Sequence, residues 1–230
     1  MVIVPGQSTY AELNPLTMQH NDTSTRFSSG SNPWLLASVT VFLLVWVSTF
    51  VWTNDLNNWF IENALVFLSL AFLIGTYRIY RFSTLSYVLI SVFMCLHVYG
   101  SQYTYAENPF GYWMMETFDH SRNHYDRLVH FSFGLLLAYP MREAFIHWLD
   151  YPRSSAWLLP ILTTLAVSAV YEMIEWAVAE ILFPAQGPAY LGTQGDVWDA
   201  QKDTFMAFSG ALIATIAMGL TRNKGLINEK

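Results

Sequence analysis

The sequence predicts an all-α polytopic membrane protein of about six transmembrane helices, on three observations: sparse charge, long apolar runs, and an uneven placement of Lys and Arg. Apolar residues fill 53% of the 230 positions, aromatic residues 17% and charged residues only 12%. Soluble domains carry about 25% charged residues. This chain has too little charge to wet a shell around a core of its size, whereas a lipid-facing surface needs none.

A helix crosses the roughly 30 Å hydrocarbon layer with about 20 mostly apolar residues. The clearest such run is Trp34 to Trp52, which carries no charge. The second, Trp59 to Tyr77, has Glu62 near its start, and the third, Phe82 to Gly100, contains only His97 as a chargeable side chain. The fourth, Leu128 to Ile146, is interrupted by Pro140 and Arg142 and is also compatible with a re-entrant segment. A fifth begins near Ser154 and continues through Glu172, Glu175 and Glu180 to Phe183. The sixth, Thr204 to Leu220, is rich in Gly and Ala, a composition that lets helices approach closely in lipid. The domain reading is a polar cytoplasmic tail over 1–33, a six-helix domain over 34–222 with an outer loop over 100–127, and a short cytoplasmic tail over 223–230.

Orientation follows the positive-inside rule. With the N terminus inside, the cytoplasmic cations are Arg26, Arg78, Arg81, Arg142, Arg153, Arg222, Lys224 and Lys230, against Arg122, Arg127 and Lys202 outside. Eight against three predicts N-in and C-in. Eight of the nine tryptophans fall at or beyond helix ends, as interface-seeking indoles do, and only Trp46 is central. The net charge of -6, without any Lys/Arg cluster, excludes a nucleic-acid partner. The single cysteine, Cys95, lies in an apolar run and reads as a core thiol. No basic segment precedes an apolar stretch in the first 25 residues, so no signal peptide is expected.

Depth brings the polar residues together. At about 1.5 Å of rise per residue, His97 lies about 22 Å up an outward-running third helix, and Glu172 about 27 Å up an outward-running fifth, with Glu175 just above. Asp126, Arg127 and His130 open the inward-running fourth helix, and Asp196, Asp199 and Asp203 open the sixth. Asp126 and His130 are four apart, Arg127 and His130 three, Glu172 and Glu175 three, and Asp199 and Asp203 four, so each pair shares a helix face. Ionisable groups at bilayer depth are costly and turn towards partners or water.

The candidate polar site is therefore His97, Arg127, His130, Glu172, Glu175, Asp196, Asp199 and Asp203. As metal ligands the candidates are His97, His130, Glu172, Glu175, Asp199 and Asp203, with Arg127 expected to pair with Glu172 or Glu175. Six acids (Asp126, Glu172, Glu175, Asp196, Asp199 and Asp203) face three bases (Arg122, Arg127 and Lys202), an excess that calls for a cation or protons. A structural reading stands beside this one: Arg127 neutralising a glutamate, His130 bridging two helices, and the aspartates capping helix six. In the aromatic loop from Gly100 to Asp126, His120 and His124 share a helical spacing without an HExxH pattern. Gly192 and Gly195 in LGTQGDVWD permit a turn that aims Asp196 or backbone amides at the site.

The segments SRNHYDRLVHFSFGLLLAYPMRE, YEMIEW and LGTQGDVWDAQKD resemble the YjdF-like family of bacterial inner-membrane proteins, over most of the chain after the polar tail. The resemblance implies a multi-pass inner-membrane location and no particular reaction. More distantly, Asp126 to His130, an acid on a later helix, then Asp199 and Asp203 ahead of Gly210 looks like VanZ-like membrane proteins. Three functions fit the residues, and the lipid bilayer is the one partner implied. The first is an enzyme in which a divalent metal activates water against a lipid-linked or envelope substrate. The second is a proton- or cation-coupled carrier, and the third a non-catalytic scaffold. No GxSxG motif offers a nucleophile. The inner halves of helices one, three, five and six mark hardly any ionisable path, which favours a one-sided pocket over a carrier.

Overall fold

A computed structural model of the chain describes residues 32–182 and 191–223. The polar tail with Arg26, the stretch 183–190 of the sixth helix's leading loop, and the C-terminal tail with Lys224 and Lys230 lie outside the described residues. Among those described, the chain is all-α.

Helix α1 (Pro33–Trp52) starts where Asn32 accepts the Trp34 N–H and Pro33 fills the first turn, a position that needs no amide donor. Leu36, Leu44, Val47 and Val51 stay exposed, a lipid-facing surface on a helix whose remaining face meets the helix over 84–101. The second span begins earlier than its apolar run suggests and is broken. Helix α2 (Leu56–Glu62), capped by Asp55, bends by 41° into α3 (Ala64–Thr76). Asn63 sits fully buried at the bend, donating from Nδ2 to the Trp59 carbonyl and Ser101 Oγ and accepting from Trp46 Nε1. The one central tryptophan, half-buried, thus has its indole N–H satisfied.

Ser83 caps α4 (Thr84–Ser101), and Asn108 caps a short helix in the connection that follows it, α5 (Pro109–Thr117). Helix α6 (Tyr125–His147) runs unbroken through Pro140, so the fourth segment is one continuous helix of 23 residues, about 34 Å long. It packs against α4 and against the helices over 159–177 and 199–223. This central place explains its weak hydropathy, because a helix surrounded by protein needs little lipid-compatible surface. A single 3₁₀ turn (Ser155–Trp157) leads into α7 (Leu159–Ala177), which ends in a π-helical turn (Val178–Leu182). Helix α8 (Asp199–Asn223) follows. Helices α1, α4, α7 with its π turn, and α8 are each long and apolar enough to cross a bilayer, and α2 with α3 makes a fifth. Helix α6, also long enough at 23 residues, is less apolar and is not among these five.

Two interactions hold α6 in place. At its mid-length, a Cβ on Gly134 would collide with the Ala207 carbonyl, and one on Gly210 with the Phe131 carbonyl, so the α6 and α8 backbones touch. At its far end the buried Glu143 carboxylate accepts from Ser83 N and Oγ, Ser86 Oγ and Tyr80 Oη, tying the α3–α4 connection to α6. Arg142 beside it stacks its guanidinium 4.1 Å from the Trp157 ring.

Candidate functional site

The ends of α4, α6, α7 and α8 meet at the pole opposite Glu143, as depth along the helices predicts. Three aspartates form the centre: one carboxylate oxygen each from Asp126, Asp199 and Asp203 lie within 4.8 Å of one another. Asp203 is 1% exposed and its Oδ1 has no hydrogen-bond donor. His130, 7% exposed, stands beside them with Nε2 3.6 Å from Asp126 and 3.3 Å from Glu172 Oε1. Its other ring nitrogen lies 3.3 Å from Ser168 Oγ. Glu172 and Glu175 lie one turn apart on α7.

Two arginines balance part of this charge. Arg122 clasps Asp199 with both terminal nitrogens, at 2.5 and 3.4 Å, and donates to the Thr193 carbonyl. Arg127 reaches Asp196 at 2.6 Å, Asp199 at 3.1 Å and Asp203 at 3.7 Å. The expected Arg127–glutamate pair is therefore corrected: the guanidinium turns to the aspartates of α8, because α8 lies closer than α7 against that face of α6. Hydrogen bonds from Lys202, Arg127 and the Trp198 N–H hold the Asp196 carboxyl well below the usual carboxylate range. Gln194, at a φ of 50°, exchanges two hydrogen bonds with the Asn123 backbone, fastening the LGTQGD turn to the start of α6.

The loop histidines are not on a helix: His120 and His124 precede α6 and meet edge to face, ring centroids 4.8 Å apart. Partial burial, then the neighbouring Arg127 charge, lowers the His124 pKa. His124 Nδ1 lies 3.4 Å from the Arg127 guanidinium, which can only donate.

His97 is drawn into a different arrangement. Its Nε2 lies 3.1 Å from the Glu62 carbonyl oxygen, which can only accept, so Nε2 carries the hydrogen and Nδ1 of the neutral ring accepts from Tyr105 Oη at 2.5 Å. Both nitrogens being engaged, His97 leaves the ligand set and orients Tyr105. Burial pushes the Tyr105 phenol well above its ordinary pKa, and the carboxylates of Glu62, Asp126 and Glu175 around it add to this, so its hydroxyl stays a donor. Glu62 is 4% exposed, with Oε2 lacking a donor. The depth rule applied to the start of the second span would have placed Glu62 at this pole. Arg122 as the main partner of Asp199 carried no comparable signal, because it lies in the connection between α5 and α6, where helix rise fixes no depth.

A small cleft, partly open to the surroundings, joins the two arrangements, with Asp126, His130, His97 and Tyr105 in its lining. Of the six ligand candidates, the structure thus gathers His130, Asp199, Asp203 and Glu172, keeps Glu175 beside Glu172, and adds Asp126.

The model of a family described as predicted membrane proteins (DUF2238) matches residues 33–224, from the first helix to the last. The chain belongs to this family. Within curated proteins, the DUF2238 chain is 38% identical over 184 residues to the inner membrane protein YjdF of Escherichia coli (strain K12), covering 79% of this chain and 87% of that protein. No solved structure matches. Together with the apolar helices, the match makes this DUF2238 member a multi-pass inner-membrane protein in contact with the lipid bilayer. The three segments carrying the YjdF-like resemblance are the ones that supply Arg122, Asp126, Arg127, His130, Glu172, Asp199 and Asp203.

Proposed function

We propose that the polar pole of this inner-membrane protein is a divalent-cation site at the extracytoplasmic face, serving a hydrolytic reaction on a lipid-linked or envelope substrate. The observation that carries the reading is the Asp126–Asp199–Asp203 triangle with the donorless, buried Asp203 Oδ1. Oxygens no more than 4.8 Å apart leave a central point within about 2.8 Å of each, a few tenths of an ångström beyond Ca²⁺–oxygen bonds and about 0.7 Å beyond Mg²⁺–oxygen bonds, so side-chain rotation would close the site on the smaller ion. Without a cation, three carboxylates at that spacing repel one another, and Arg122 and Arg127 offset only part of the charge. The withdrawal of His97 shifts the donor set towards oxygen, which favours Mn²⁺ or Mg²⁺ over Zn²⁺. His130 Nε2 and Glu172 stand where a base would take a proton from a cation-bound water.

A carrier is disfavoured by α6 itself, where no acidic, basic or histidine side chain lies between His130 and Arg142. Two measurements test the reading. Protein purified without chelator is expected to retain close to one equivalent of divalent metal by elemental analysis; metal-free protein that remains fully folded would leave the cluster as helix-joining structure. For orientation, Ala106→Cys in a Cys95→Ala background is expected to react with an impermeant thiol reagent in cells whose outer membrane has been permeabilised. Reaction only after the inner membrane is lysed would put the site on the cytoplasmic side.

A further inference from the structure

We propose that the cleft beside the cluster seats the single hydrocarbon chain of a lipid phosphate, with the phosphate at Asp126 and His130 on the bound cation; this rests on the cation reading above. The floor of the cleft is one face of α6. Asp126, Val129, His130 and Phe133 recur at three- and four-residue steps, so the floor runs about 10 Å along the helix. Polarity changes along that line. Asp126 and His130 occupy the end at the cluster, while Phe133, with Phe93 of α4 beside it, makes the deeper end wholly apolar.

The rim points to where the occupant comes from. On one side stands Leu65 of α3, on the other Val167 of α7, which is 45% exposed. Their helix neighbours Leu68, Val170 and Ile174 are exposed apolar residues of the kind that face acyl chains. The mouth therefore opens sideways into lipid and the polar end into the cluster, an arrangement that suits an amphiphile entering tail-sideways. Charge selects the headgroup: a divalent ion among aspartates already held by Arg122 and Arg127 presents its free positions to an anion, and phosphate oxygens are hard ligands of the same kind as carboxylates. The length of the apolar floor matches one chain segment.

The test uses full-length protein in nanodiscs and hexadecyl phosphate bearing a diazirine on its chain, irradiated with Mn²⁺ or with EDTA, the cross-linked peptides being read by mass spectrometry. Label is expected on segments holding Phe93, Phe133 or Val167, about tenfold stronger with Mn²⁺. Unlabelled hexadecyl phosphate should compete, and inorganic phosphate at equal concentration should not. Val167→Trp and Leu65→Trp, both at partly exposed positions, should each suppress the label while Mn²⁺ binding persists. Label spread over Leu36 and Leu44 of α1 without Mn²⁺ dependence overturns the proposal, as does equal competition by inorganic phosphate. Equal labelling by an amine-headed analogue in EDTA would replace the phosphate with a cationic headgroup and also overturns it. Mn²⁺ bound without label in the cleft removes this inference alone; no Mn²⁺ bound removes the cation reading and this inference with it.

Discussion

Arg122→Ala is expected to destabilise the protein by about 3–5 kcal/mol, the range for removing one partner of a buried ion pair. The guanidinium is 8% exposed and Asp199 7%, so water cannot take over the lost contacts. Asp199 would then face Asp126 and Asp203 with only Arg127 to offset three carboxylates. The second consequence is local: the Thr193 carbonyl loses its donor, which loosens the turn that leads into α8. Thermal unfolding in detergent, followed by fluorescence-detected size exclusion, should show the loss as a lower midpoint. Adding Asp199→Asn should recover part of it by removing the orphaned charge, the coupling that a double-mutant cycle reads. Lys202→Ala is the control: its side chain is 49% exposed, and pairs of that kind contribute about 0–1 kcal/mol. Equal losses for Arg122→Ala and Lys202→Ala would show that the buried pair does not hold the pole together.

Gly210→Leu is expected to abolish the monodisperse folded species. A Cβ at Gly210 meets the Phe131 carbonyl oxygen and the Leu135 nitrogen, which are backbone atoms of α6 and cannot rotate away. The two helices would have to separate along the interface where Ala207 and Ala211 are fully buried. In lipid no water-driven hydrophobic force opposes that separation, since close packing is itself the attraction. Gly219→Leu, whose Cβ meets nothing within 4 Å, should leave the elution profile unchanged. A folded Gly210→Leu protein would mean that α6 and α8 are less closely apposed than described.

The apolar helices were legible from hydropathy because lipid imposes one rule on every exposed side chain, and α1 matches its predicted run within one residue. The break at Asn63 was not, because its cause is tertiary: the hydrogen bonds from Trp46 and to Ser101 come from residues 17 and 38 positions away. Depth arithmetic brought His130, Glu172, Asp199 and Asp203 to one pole, since helix rise is nearly constant. Rotation and neighbour order are another matter. They decided that Arg127 meets Asp196 and Asp199, and that His97 turns both nitrogens to Glu62 and Tyr105. Spacing within one helix says which residues share a face and nothing about which helix that face meets.

The central claim is that Asp126, Asp199 and Asp203 hold a divalent cation. It is tested most directly by titrating Mn²⁺ into the purified, chelator-treated protein and reading the free-ion signal by electron paramagnetic resonance, for the wild type and for Asp203→Asn. Asn preserves the size of a side chain that is 1% exposed, so the bundle is expected to stay folded while one anionic ligand is lost. The account predicts one bound Mn²⁺ per wild-type chain and affinity at least about tenfold weaker in the variant. A free-ion signal undiminished by the wild type, or equal binding by a folded Asp203→Asn protein, would contradict it.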